Sequence, residues 1–135
     1  MASTIRLELV TPERLLLSSE VDEVVAPGYE GEFGVLPGHT QFLAILDIGV
    51  LWYRKEGAVK KIALGGGFAE VTHERVVVMA DTAERADEID LERARRARDR
   101  AEARLKELSM DDETHAKAQA ALNRALVRMA AGGGE

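Results

Sequence analysis

The chain has no cysteine among its 135 residues. That removes disulfide frameworks and thiolate metal sites, and it fits a reducing compartment. Aromatic residues are scarce at 4%, so a core must come from Val, Ile, Leu and Ala. No apolar run approaches the ~18 residues that span a bilayer. The first residues, Met1 to Ile5, carry neither a basic n-region nor an apolar h-region, so no signal peptide is expected. A net charge of −6 argues against nucleic acid as the main partner. Catalytic signatures are missing too. There is no nucleophile elbow, no acid pair stands apart from the solvated carboxylates, and His73 and His115 are isolated, so no metal site is expected.

What is present divides in two. Residues 1–89 hold 8 basic and 15 acidic side chains, whereas residues 90–131 hold 10 basic and 8 acidic ones. An acidic body with a mildly basic end suggests that the end meets an acidic surface or a phosphate. The length suits one domain, or one small domain with an appendage.

The hydrophobic period changes at the same place as the charge. Ile5, Leu7 and Leu9 alternate with Arg6 and Glu8. Further short apolar runs follow to Met79, separated by Thr11-Pro12-Glu13, Pro27-Gly28, Asp47-Ile48-Gly49, Glu56-Gly57 and Thr72-His73-Glu74. Period-2 runs with frequent turn signals predict a β-sandwich or flattened barrel. After Asp81 the spacing becomes helical. Leu91, Ala94, Ala97 or Arg98, Ala101, Leu105 and Leu108 form one stripe. Ala118, Ala121, Leu122, Ala125 and Met129 form a second. Asp90 suits the first N-cap, with Ile89 before it as a staple residue. Asp111, Asp112 and Glu113 complement the second helix's dipole, and Gly132-Gly133-Gly134 ends it. The fold class is therefore α+β, mainly β then α, with a C-terminal antiparallel two-helix hairpin. Its stripes are largely alanine, which buries little area at ~25 cal/mol per Å². The hairpin needs a partner surface and leaves it at modest cost.

Three features invite functional readings. Gly31-Glu32-Phe33-Gly34-Val35-Leu36-Pro37-Gly38-His39 has too much backbone punctuation for an ordinary strand. It reads either as a structural connection or as a shaped interaction surface. His39 by itself reads as a satisfied hydrogen-bonding residue, not a catalyst. Gly65-Gly66-Gly67 lacks a following Lys-Ser or Lys-Thr and leads into a strand, so it reads as a glycine bend, not a phosphate loop. Asp90, Arg93, Arg100 and Arg104 on the first helix, with Arg124 and Arg128 on the second, could bring guanidiniums together for bidentate phosphate recognition. Spacing alone favours a capping Asp90 and a solvated arginine face.

In order and spacing these motifs, together with Val78-Met79-Ala80-Asp81-Thr82-Ala83-Glu84 and Ile89-Asp90 opening an Ala/Arg-rich helix, resemble the epsilon-subunit family of bacterial F-type ATP synthases. The resemblance spans nearly the whole chain. It implies an N-terminal sandwich of about ten strands over residues 1–85 and a regulatory hairpin over residues 86–135. It implies a noncatalytic rotor part that couples proton translocation to ATP synthesis. The sandwich would bind the gamma subunit and the c-subunit ring, with Glu32 and His39 facing the ring. The tail would switch between folded and extended forms, the latter meeting the alpha/beta catalytic head and inhibiting ATP hydrolysis. No cofactor is required, and the location would be peripheral, on the cytoplasmic face of the bacterial inner membrane. Some family members bind ATP on the folded hairpin. Here Glu84, Ile89, Asp90, Arg93, Ala94, Arg100, Arg124 and Arg128 occupy the matching positions, while the stretch around Lys117 and the Ser109–Glu113 loop depart from the tightest pattern. Two other readings stand beside the rotor subunit: an ATP-sensing module whose main role is nucleotide-dependent regulation, and an unrelated sandwich adaptor with a helical tail.

Overall fold

In a computed structural model, residues 4–133 are described. Gly134 of the expected glycine stop, and Met1–Ser3 of the N-terminus, lie outside them. Strands β1 (Ile5–Val10), β2 (Leu15–Val21), β3 (Glu23–Gly28), β4 (Gly31–Val35), β5 (Phe42–Lys55), β6 (Ala58–Val71), β7 (Arg75–Ala80) and β8 (Ala83–Arg85) come first. A 3-10 turn at Ala86–Glu88 then leads to helices α1 (Leu91–Glu107) and α2 (Glu113–Gly132). The strands are joined in the order β2-β1-β7-β6-β5-β3-β4, with β8 on β6. One pairing, β1 with β7, is parallel. The ten strands implied by the resemblance correspond to these eight because β5 and β6 are each 14 residues long and cross from one layer to the other.

That crossing explains why a single period fails along β5 and β6. In β5 the buried positions Leu51 and Tyr53 are odd-numbered, whereas Leu46 is even. In β6 the buried Ile62 and Leu64 are even and Ala69 and Val71 odd. The inward face changes parity between Leu46 and Ile48, which pair with Gly67 and Gly65. A one-residue slip reverses the faces of a strand. The glycine triplet supplies the backbone for it. Gly66 and Gly67 have φ of 96° and 135°, and a Cβ on Gly67 would lie 2.2 Å from the Met79 carbonyl oxygen. The expected glycine bend is therefore real, and it bends a continuous strand without ending it. The same holds at Asp47-Ile48-Gly49, which stays within β5.

The inward side chains of both layers form one cluster that includes Ile5, Leu7, Leu9, Leu51, Ile62 and Val78. Where β3 begins it is tied to β5 by Asp22 N–H donating to the Arg54 carbonyl at 2.7 Å and by an ion pair between Arg54 and Glu23. Asp90 caps α1, its carboxylate accepting the Arg93 N–H at 3.1 Å. Asp112 caps α2 in the same way through Thr114 at 2.8 Å. The hairpin seam buries Ala94 and Ala101 from α1 and Ala118 and Ala125 from α2. Only α2 lies extensively against the sandwich, over β5, β6 and β8, and α1 rides on α2. Ile89 does not act as a simple staple within α1. It packs against Gly132 at the end of α2, where an added Cβ would sit 3.0 Å from Ile89 Cγ2.

Candidate functional site

Two parts of the outer face of β5 and β6 differ in what covers them. Beyond the bend towards Lys55, α2 covers the outer face, and Ala63 there is 5% exposed. On the other side of the bend the outer face is bare. Leu43 is 72% exposed, Ile45 68% and Tyr29 70%. Ile45 pairs across the ladder with Phe68, which is also exposed. Tyr29 N–H donates to the Ile45 carbonyl at 2.8 Å, so the four side chains share one face. Beside them a shallow hollow of about 600 Å³ opens between Gly28, Phe33 and Phe42. Contiguous exposed apolar side chains of this kind mark interaction sites. Sequence reasoning missed this patch. Its signal was the absence of polar alternation in Phe42-Leu43-Ala44-Ile45-Leu46, where a one-sided strand would place polar residues.

The Gly31–His39 segment resolves into two parts. Gly31–Val35 is β4, an edge strand paired with β3, and the loop proper is Leu36–Gln41. Glu32 is exposed on β4. His39 is half-buried. Its Nδ1 lies 3.0 Å from the Thr40 carbonyl, and its ring packs edge-on against Phe42 at 5.4 Å. Phe42 in turn meets Phe33 at 5.3 Å. The His39 imidazole thus braces the loop against Phe42, and Glu32 is the more exposed member of the pair. Gly38 N–H donates to the His73 carbonyl at 3.1 Å, so this loop and the β6–β7 turn form one rim.

The residues expected around a nucleotide are only partly assembled. Arg128 Nε donates to Glu84 Oε1 at 2.6 Å, joining α2 to β8. Arg124 and Arg128 line a pocket of about 180 Å³ with Gly65, Thr82, Glu84 and Val127. That is below the roughly 300–1,000 Å³ of ordinary ligand pockets. Ile89 is half-buried against Gly132, Asp90 is spent as a cap, and Ala94 is fully buried in the hairpin seam. Arg93, Arg100 and Arg124 are exposed, and among the described residues their guanidiniums have no hydrogen bond or ion pair. The arrangement offers cations near a small pocket whose best-placed arginine already holds a carboxylate.

Three further residues carry the link between sandwich and hairpin, and no local pattern announced them. Arg14 donates from Nη2 to Glu88 Oε1 at 3.0 Å and from Nη1 to Oε2 at 3.2 Å. Glu88 Oε1 also accepts the Arg85 N–H at 3.1 Å, and the Arg85 guanidinium donates to the Leu16 carbonyl at 2.7 Å. The hydrogen bonds from Arg14 and Arg85 hold the Glu88 carboxyl below the usual carboxylate range. Burial raises the Tyr53 phenol. Among the described residues no group of His, Asp and Glu is placed to hold a metal, and no helix is long and apolar enough to cross a membrane.

Comparison with known proteins agrees with this two-part layout. The family model described as "ATP synthase, Delta/Epsilon chain, beta-sandwich domain" matches residues 4–86. The model described as "ATP synthase, Delta/Epsilon chain, long alpha-helix domain" matches residues 87–133. An ATP synthase epsilon chain from Nitratidesulfovibrio vulgaris (strain DP4) is 54% identical over 129 residues, covering 96% of each chain. One from Geobacter sulfurreducens is 53% identical, covering 98% of this chain and 96% of its own length. Among solved structures, a chain of the Euglena gracilis mitochondrial ATP synthase superposes with a TM-score of 0.82 at 28% identity, covering 97% of this chain and 82% of that one.

Proposed function

Because this chain belongs to the delta/epsilon chain family of ATP synthases, we propose that it is a noncatalytic subunit of the central stalk, coupling proton translocation to ATP synthesis and restraining ATP hydrolysis through its C-terminal hairpin. The observation that carries this reading is the divided outer face of β5 and β6. One half is bare and apolar at Tyr29, Leu43, Ile45 and Phe68, and the other is covered by α2, whose Val127 and Arg128 lie beside Ala63 and Leu64. The bare half suits a permanent partner, the gamma subunit. The rim formed by Leu36–Gln41 and the β6–β7 turn, with Glu32 beside it, suits the polar loops of the c-subunit ring. The alanine-lined hairpin suits a part that undocks towards the alpha/beta head. The subunit would sit peripherally on the cytoplasmic face of the bacterial inner membrane.

Deleting residues 90–135 and assembling the remainder with the other stalk and head subunits tests this. The expected outcome is normal assembly with higher ATP hydrolysis. Loss of assembly would instead place the stalk contact on the tail and overturn the division of labour.

ATP acts, in this reading, as a regulatory ligand of the folded hairpin, held by Arg93, Arg100, Arg124 and Arg128 with Glu84, Ile89, Asp90 and Ala94 shaping the site. A ligand shifts a two-state element only by its differential affinity, and a nucleotide touching both helices would favour the folded state. Arg93, Arg100 and Arg124, exposed and without an ion pair among the described residues, support it. Calorimetry on the isolated chain at millimolar ATP, with Arg124→Ala as the control, decides: no heat of binding removes the site. The family assignment favours the stalk role over a free-standing nucleotide sensor.

A further inference from the structure

The connection between sandwich and hairpin is fastened unevenly. Up to Glu88 it is clamped to the β1–β2 turn. Arg14 grips both oxygens of Glu88, and Arg85 reaches the Leu16 carbonyl. The turn that carries Arg14 is itself closed, with Thr11 N–H donating to the Arg14 carbonyl at 2.9 Å and Arg14 N–H lying 3.3 Å from Thr11 Oγ1. The two partners in the Arg14–Glu88 pair are 74 residues apart. A two-pronged guanidinium–carboxylate contact fixes direction as well as distance.

Beyond Glu88 the fastening changes character. Ile89 and Asp90 are both extended, with ψ of 125° and 101°. The Asp90 carboxylate and carbonyl both serve α1, accepting from Arg93 and Ala94, so Asp90 is already part of the hairpin. What holds the hairpin to the sandwich is α2, through apolar contact and the Glu84–Arg128 pair. Ile89 touches Gly132, which also belongs to α2. The contacts that undocking must break lie on α2, which meets β5, β6, β8 and the 3-10 turn, and at Ile89. Among the described residues every hydrogen bond and ion pair of the Glu88 side chain goes to Arg14 or Arg85, and none to the hairpin.

We propose that Ile89–Asp90 is the pivot of the hairpin and that the Arg14–Glu88 clamp makes the 3-10 turn Ala86–Glu88 a rigid part of the sandwich. The clamp is a positioning device: it sets the point from which the hairpin swings, and so the direction in which an undocked hairpin leaves. It rests on the reading of a hairpin that undocks, and it places the mechanical boundary after Glu88, later than the boundary between the two matched family segments at residues 86 and 87.

The absence of native cysteine makes paired spin labels selective. One pair joins Glu74→Cys in the β6–β7 turn to Asp87→Cys in the 3-10 turn. A second joins Glu74→Cys to Arg104→Cys on α1. Both are read by pulsed dipolar spectroscopy in the assembled ATP synthase, with and without ATP. The 74–104 distance should show two populations while the 74–87 distance keeps one. Arg14→Ala should split the 74–87 distance as well, and Arg14→Glu combined with Glu88→Arg should restore a single one. Two populations for 74–87 in the otherwise native chain, with the same proportions as 74–104, would overturn the pivot while leaving the moving hairpin intact. An unchanged single 74–87 distance in Arg14→Ala would overturn the role of the clamp. A single 74–104 distance throughout would remove the moving hairpin itself, and the pivot with it.

Discussion

Arg128 on α2 and Glu84 on β8 meet at 2.6 Å across the boundary between helical hairpin and sandwich, their side chains 23% and 33% exposed. This is the one ion pair among the described residues that joins α2 to the sandwich. Partial burial beside Ala63, Leu64, Ala83 and Val127 reduces screening of the pair, and the remaining solvent contact of both side chains keeps its worth modest.

Glu84→Gln should therefore weaken docking by about 0.5–1 kcal/mol, the upper part of the range measured for exposed pairs. Amide exchange in α2 of the isolated chain should quicken about two- to fivefold, a ratio that follows from that energy at RT of about 0.6 kcal/mol. The β1 and β7 amides, which belong to the sandwich core, should not change. Equal acceleration in both would show that the pair supports the whole fold.

Gly67→Ala should be among the most damaging single-methyl changes in the sandwich. The backbone there has a φ of 135°, and the new Cβ would meet the Met79 carbonyl oxygen at 2.2 Å. Strain of this kind costs on the order of 1–3 kcal/mol before any shift of the neighbouring strand is counted. Thermal melting should fall by several degrees or the chain should fail to fold. A melt within one degree of the native chain, on the order of a 0.2 kcal/mol change for a domain of this size, would contradict the geometry.

Ile45→Arg should leave the isolated chain's melting temperature close to native, since Ile45 is 68% exposed and surface changes cost within about 0.5 kcal/mol. The same substitution should abolish copurification with the gamma subunit, because a charge would enter a desolvated apolar contact. Retained copurification would move the stalk contact away from this patch.

The Glu88 clamp has a defined pH window. Its carboxyl is held below the ordinary value of 4.5 by Arg14 and Arg85. A depressed folded value means that the stabilisation is complete above about pH 4.5, where the carboxyl ionises in either state, and is lost as pH falls through the folded value. The 74–87 label distance should stay single from neutral pH down to about 4.5 and split only below it. Glu88→Gln should split it at every pH. Splitting that begins near pH 6 would implicate a histidine instead.

Much of the architecture was legible in residue order. The alternation of Ile5, Leu7 and Leu9, the Glu56-Gly57 turn and the alanine stripes of the hairpin each follow from a local period or local backbone preference, and each lies where expected. The cap at Asp90 needs only the four residues around it. The strand crossings were partly legible: the glycine triplet marked a bend, but that β5 and β6 continue through it depends on pairing with each other. The candidate nucleotide residues were legible as a set and not as a geometry. Spacing placed Arg124 and Arg128 on one helical face and Ala94 in the buried stripe, where it lies, yet it did not indicate that Glu84 occupies Arg128.

The sequence by itself determined the two modules, the order of their elements, the absence of thiol chemistry and the charge contrast between body and tail, because these depend on composition and on interactions a few residues apart. Only the tertiary structure decided which half of β5 and β6 stays bare, that His39 packs on Phe42, and that Arg14 closes on Glu88. Those outcomes depend on where distant segments are brought together, and a contact between residues 74 positions apart leaves no trace in the local pattern of either one.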